Sequence, residues 1–276
     1  MKTALVTGAN RGIGFSICEL LFKQYHFDKV YLGCRNLEKG KEAAEKLSKY
    51  GIAVPIQIDI SEENSIQNAY NTYKNIRLKD EKLTVLVNNA AVNLDWIPNK
   101  WYPNAFEIPT SDIEKIFRVN MLGAFLVTKY FRDEIADYGS VVNVGTGSME
   151  LATPTAEGHE YPFYGAAKIA LYMLTKKMGA VLKERNISVN MACPGWCKTE
   201  MGGDLACDGP EVGADSILRA AFIGKKDKPT GKFMRYGQII PIDSYDPKLL
   251  PKRKKQYLKK LLKIFRMIRI IYIHSA

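Results

Sequence analysis

Short apolar runs alternate with longer stretches of helical period from the N-terminus to about residue 243. "TALVT" (3–7) reads as a buried strand, and "RGIGFSICELLFKQY" behind it puts Ile13, Ile17, Leu20 and Leu21 on one helical face. "KVYLGC" predicts a second strand, "NLEKGKEAAEKLSKYG" an amphipathic helix ended by Gly51, and "AVPIQIDI" a third strand. "SEENSIQNAYNTYKNI" predicts a helix opened by a variant capping box, Ser61 with Asn64 in place of the usual acid. "LTVLVNNAA" is the fourth strand, a helix starts near Ser111, and "GSVVNVG" is the fifth strand. Residues 162–185 form a helix and "ISVNMACPG" a sixth strand. A short helix around 212–224 precedes a last strand near "GKFMRYGQIIPID". Strands and helices in this alternation imply βαβ units: an α/β fold with a doubly wound parallel sheet of about seven strands, as one domain over residues 1–243.

Composition narrows the picture. At 276 residues, 46% hydrophobic and 25% charged, the chain has the mixture of a globular protein with a substantial core. Five cysteines and three histidines lack the number and spacing of a zinc site, so no metal is expected and the thiols read as free in a cytoplasmic protein. The first residues carry no apolar signal-peptide core, and no run approaches the roughly 18 apolar residues of a spanning helix.

The net charge of +11 is unevenly spread. Residues 244–276 hold ten Lys/Arg and one acid, leaving residues 1–243 with 30 basic and 28 acidic side chains. The main domain is therefore near neutral, and its charge does not point to nucleic acid. The tail, 244–276, reads as a basic amphipathic helix. Leu258, Leu261, Leu262, Phe265, Ile268 and Tyr272 fall on one side, and Lys255, Lys259, Lys263 and Arg266 on another. Such a helix suits peripheral contact with an anionic membrane or an acidic partner. A loosely ordered extension or a helix packed on a neighbouring subunit are the alternatives, and the oligomeric state stays open.

The chemistry begins in "TGANRGIG", between the first strand and the first helix. Gly8 allows a tight turn, Gly12 the close approach of a pyrophosphate, and Gly14 close packing of helix on strand. With Asn10, Arg11 and Ile13, this loop and the helix N-terminus form a dinucleotide phosphate site of Rossmann type. After the second strand, a carboxylate would bind an adenosine 2′-hydroxyl and repel a 2′-phosphate. The sequence there is "LGCRN", with Arg35 and no acid, and Arg11 adds a second guanidinium. Both favour NADPH/NADP⁺ over NAD, because Arg grips phosphate with a bidentate fork.

"YPFYGAAK" supplies a proton donor. Tyr164 and Lys168 stand at i and i+4, on one helix face, whereas Tyr161 has Gly165 at that spacing. A free tyrosine ionises near pH ~10, and a neighbouring ammonium favours the phenolate and brings the group toward neutrality. Tyr161 is left to line the substrate cleft or the helix start.

In combination these motifs resemble the classical short-chain dehydrogenase/reductase family, in its carbonyl-reductase-like branch. The resemblance spans about residues 1–243. "NNAA" (88–91) stands for the family's N-N-A-G and brings Asn89 and Ala90 to the cofactor. Asn120, in "RVNMLGAF", matches the family's catalytic asparagine, which would hold a water linking Lys168 to solvent. "YGAAK" matches Y-x-x-x-K, so Tyr164 and Lys168 also contact the cofactor, Lys168 through its ribose hydroxyls. "CPGWCKTEM" resembles P-G-x-x-x-T, implying Pro194, Gly195, Trp196 and Thr199 at the cofactor. Asp59 and Ile60 resemble the pair that flanks the adenine ring. The family's serine pair after the fifth strand is replaced: "VVNVGTGS" puts Gly145 and Thr146 there, and either Thr146 or Ser148 polarises the carbonyl.

The resemblance implies an NADPH-dependent reductase acting on a small-molecule aldehyde or ketone. An alcohol, steroid or retinoid dehydrogenase working in oxidation is the alternative within enzymes. A catalytically weak NADP-binding regulator is the alternative outside them. Segments 94–107, 149–163 and 196–213 frame the expected substrate cleft, the last of them, with its glycines, as a candidate lid.

Overall fold

A computed structural model of the chain describes residues 1–95, 102, 104–149, 162–224 and 228–242. The expected alternation is present. Strands β1 (Thr3–Thr7), β2 (Lys29–Cys34), β3 (Ile52–Gln57), β4 (Leu83–Asn88), β5 (Ile135–Val144), β6 (Ser188–Cys193) and β7 (Phe233–Arg235) pair in parallel in the order β3-β2-β1-β4-β5-β6-β7. Helices α1 (Gly12–Lys23), α2 (Leu37–Leu47), α3 (Glu63–Ile76), α4 (Thr110–Phe117), α5 (Ala124–Phe131), α6 (Pro162–Leu182) and α7 (Pro210–Ala221) connect them.

The central strands β1, β2, β4 and β6 are buried on both faces, and alternate residues feed two cores. Ala4, Val6, Val30, Leu32, Val85 and Val87 pack beneath Ile17, Leu21, Leu47 and Ile217 of α1, α2 and α7. Leu5, Tyr31, Leu86 and Val141 pack on the opposite face with Ile66, Tyr73, Val127 and Phe131 of α3 and α5. Each such aliphatic side chain contributes roughly 1.5–3 kcal/mol on burial. A third cluster, with Met149, Leu171, Met191 and Phe233, lies where β5, β6, β7 and α6 meet.

The expected parallel sheet of about seven strands is present, and an eighth, antiparallel strand extends it. Three local expectations are corrected. The closing segment, expected as one strand, turns back through Tyr236 (φ 51°) and Gly237 (φ 80°) into an antiparallel β8 (Gln238–Ile239). Two successive left-handed residues twist a tight hairpin in the sense its strands require. The capping box at Ser61 does not form: Glu62 precedes the helix without a side-chain cap. Asp59 captures Ser61 instead, its Oδ1 accepting from Ser61 N at 2.9 Å and Ser61 Oγ at 2.7 Å, an Asx turn that also ends the third strand at Gln57 rather than Ile60. The helix expected near Ser111 begins one residue earlier and runs through a π-helical turn, Arg118–Gly123, into α5. Gly123 permits close passage there, since a Cβ would overlap the Ile60 carbonyl oxygen.

Tyr161, the tail 244–276, half of segment 94–107 and most of segment 149–163 lie outside the described residues.

Candidate active site

The C-terminal ends of the parallel strands open onto a cavity of about 610 Å³. Its floor is the glycine loop. Gly8 (φ 66°) and Gly12 (φ 55°) adopt left-handed backbone conformations. A Cβ on Gly14 would overlap the Gly8 carbonyl oxygen and come within 2.6 Å of Asn89 Nδ2. The loop is clamped to β4 by Thr7, whose Oγ1 accepts from Asn89 N (3.0 Å) and Ala90 N (3.1 Å). Asn89 Nδ2 donates back to the carbonyls of Thr7 (2.9 Å) and Gly8 (3.3 Å). The glycines thus form a cradle that side chains would fill, which fits a bound pyrophosphate.

One end of the cavity is lined by Arg11, Arg35, Asp59 and Ile60. Cys34 stands where an acid would select against a 2′-phosphate; its side chain is buried, with its sulfur packed against the space a Cβ on Gly40 would take. Arg35 is exposed beside the cavity. Arg11 forms an ion pair with Glu200 on the facing wall. That wall, after β6, supplies Pro194, Gly195, Trp196 and Thr199. It is closed on itself: Trp196 Nε1 donates to Gly202 O (2.7 Å), Gly202 N to Thr199 Oγ1 (3.0 Å), and Gly203 N to Thr199 O (2.8 Å). The candidate lid is here a hydrogen-bonded turn.

At the other end stand Thr146 and Ser148, beside Tyr164. Both hydroxyls lie at the end of β5, Ser148 in a 3-10 turn (Gly147–Met149); Ser148 N donates to Thr146 Oγ1 at 3.3 Å. Gly145 has little room for a side chain: a Cβ would come within 2.7 Å of Met191 Cγ and 2.8 Å of its sulfur. Tyr164 is largely buried, with its ring centroid 5.5 Å from Lys168 Nζ. Lys168 is fully buried and donates to Val144 O at 2.8 Å. Burial brings its ammonium pKa down to about 7.

Asn120 is buried in the π-helical turn, off the cavity. Its amide is engaged at both ends by one residue, Oδ1 accepting from Val92 N (3.1 Å) and Nδ2 donating to Val92 O (2.7 Å). Asn120 therefore fixes the strand-to-loop exit of β4, whose Val92 lines the cavity.

The matched family model is the short chain dehydrogenase, over residues 2–208. This chain belongs to the short-chain dehydrogenase family. Relatives agree with that placement. A short-chain dehydrogenase, anuI, of Penicillium roqueforti is 30% identical over 83% of this chain and 92% of its own. Carbonyl reductase [NADPH] 1 of Sus scrofa is 29% identical over 88% of this chain and 96% of its own. Among solved structures, NADPH-bound carbonyl reductase from chicken fatty liver matches with a TM-score of 0.76 at 23% identity, over 87% of this chain and 98% of that one. Carbonyl reductase Sniffer of Drosophila melanogaster matches at 0.74 and 22% identity, over 86% and 97%. The structural matches support the fold. An oxidoreductase using a nicotinamide cofactor follows from the family.

In this short-chain dehydrogenase the cavity gathers every residue expected at the site except Asn120 and Lys168, which support it from behind. Several contributors were missed from sequence. Asp95 accepts from Tyr164 N at 2.7 Å and so caps the helix that carries the tyrosine, across 69 residues of chain. Lys115 of α4, Lys198 and Glu200 line the cavity. Nothing local marks Lys115, Asp95 or Glu200 individually. Among the described residues, no cluster suits a metal ion and no helix is long and apolar enough to cross a membrane.

Proposed function

We propose that the protein reduces ketones and aldehydes to alcohols with NADPH. The observation that carries this reading is the convergence at one cavity of Tyr164, Thr146 and Ser148 with the glycine cradle, and Lys168 buried behind the tyrosine. NADPH, when bound, supplies the hydride to the carbonyl carbon. The hydroxyl of Thr146 or Ser148 donates to the carbonyl oxygen and holds it beside the phenol. Tyr164 then gives its proton to that oxygen as negative charge develops there. Lys168, on the same helix face, favours the resulting phenolate whenever its own ammonium is charged. Burial, which brings its pKa down to about 7, leaves that ammonium readily deprotonated.

Gly8, Asn10, Gly12, Ile13 and Gly14 would cradle the pyrophosphate. Asp59, Ile60, Asn89 and Ala90 would line the adenosine half, and Pro194, Gly195, Trp196 and Thr199 the nicotinamide half. The choice of NADPH rests on Arg11 and Arg35 at a cavity end without an acid at position 34 or 35. The similarity to carbonyl reductase [NADPH] 1 of Sus scrofa supports both the cofactor and the substrate class.

A Tyr164→Phe variant tests the assignment. It should keep cofactor binding within about twofold and lose at least about 100-fold in turnover. Wild-type turnover in that variant would overturn the mechanism.

A further inference from the structure

Two walls of the cavity are tied together by an ion pair. Arg11, in the glycine loop, pairs with Glu200, at the tip of the turn that follows β6. Beside them, Thr199 Cγ2 lies 3.3 Å from where a Cβ on Gly12 would sit. The turn is held in shape by its own Trp196–Gly202 and Thr199–Gly203 hydrogen bonds, so Glu200 is presented rather than free to wander.

Among the described residues, the cations on this cavity are Arg11, Arg35, Lys115 and Lys198, and the acids are Asp59 and Glu200. Asp59 is engaged by Ser61. Glu200 instead takes up one of the two guanidinium groups on which the phosphate reading depends. Both partners of that pair are largely exposed, 60% and 71%. Ion pairs so exposed are worth little and exchange readily. A phosphate monoester carries a charge of about −1.5 to −2 and presents three acceptors, so it outcompetes a single carboxylate for Arg11.

We propose that Glu200 is a specificity-determining residue: it competes with the cofactor's 2′-phosphate for Arg11, and so limits the affinity for NADPH. The proposal rests on the NADPH reading above. Binding then exchanges one anion for another at Arg11.

The test uses the full chain and cofactor titrations followed by nicotinamide fluorescence, with a melting curve on each variant to verify folding. Glu200→Gln keeps the size and hydrogen-bonding capacity of the side chain and removes its charge. It should tighten NADPH by about two- to fivefold, and NADH by less than about 1.5-fold. In an Arg11→Met background the same change should alter NADPH affinity by less than about twofold. Unchanged or weaker NADPH binding by Glu200→Gln would overturn the proposal, as would equal tightening in the Arg11→Met background, which would mark a general charge effect. Wild-type protein that binds NADH as tightly as NADPH would fail the cofactor reading itself, and this inference with it.

Discussion

Replacing Gly14 with alanine puts the cradle under a direct test. The new Cβ would overlap the Gly8 carbonyl oxygen, with the Gly8 carbonyl carbon at 2.8 Å and Asn89 Nδ2 at 2.6 Å. None of these atoms is the loose end of a flexible side chain. Gly8 is held at φ 66°, and Asn89 is bound to the Thr7 and Gly8 carbonyls. Relief therefore requires the glycine loop to move away from α1. Overpacking of this kind costs about 1–3 kcal/mol. Alanine's preference for the first turn of α1 offsets at most about 1 kcal/mol. We expect a net loss of about 1–2 kcal/mol in urea unfolding. Cofactor affinity should fall by more than about tenfold, equivalent to ~1.4 kcal/mol, because the shifted carbonyl and amides no longer face the pyrophosphate. Gly12→Ala is the control: its Cβ meets only Thr199, at 3.3 Å and beyond, and its cost is the left-handed backbone at φ 55°. Gly14→Ala protein with wild-type unfolding and wild-type cofactor affinity would refute the argument.

Other expectations follow from the same geometry. Gly145→Ser, which restores the family's residue, should destabilise by about 1–3 kcal/mol, because Met191 fills that space; adding Met191→Ala should recover part of the loss in thermal unfolding. Lys168 is depressed to about 7 from its ordinary 10.5, so the folded protein gives up this proton more readily than the unfolded chain. Stability should accordingly rise with pH between about 7 and 10.5, and in urea titrations Lys168→Met should remove that part of the rise, its advantage over wild type shrinking as pH increases. Identical pH dependence in the two proteins would contradict the burial of a chargeable lysine. Arg35→Asp should weaken NADPH at least about tenfold more than NADH in direct binding, and an unchanged ratio would remove Arg35 from the cofactor argument.

How much of this was legible in the sequence depended on the range of the interaction. The glycine loop and the Tyr164–Lys168 pair are set by local spacing, and both stand where that spacing put them. The strand order follows from βαβ units once their alternation is recognised. The hairpin of β7 and β8 was missed, although "YG" at 236–237 carries the turn signal, because the flanking strands are only three and two residues long. The Ser61 capping box was a fair local reading that lost to a nearer competitor, the Asp59 carboxylate. Gly145 shows a different limit. The sequence marks it only as a departure from the serine motif, whereas the crowding by Met191, on a neighbouring strand, is visible only in the fold. Asp95 at the start of α6, Thr7 under Asn89, and Glu200 on Arg11 join residues from 69 to 189 positions apart, and no local pattern records such contacts.

The central claim is tested most directly by following cofactor oxidation by the purified full chain, NADPH beside NADH, with a panel of quinones, aromatic ketones and aldehydes. The account predicts carbonyl-dependent oxidation of NADPH, faster than that of NADH at equal concentration. No oxidation of either cofactor across the panel, in folded protein that binds NADPH, would contradict it.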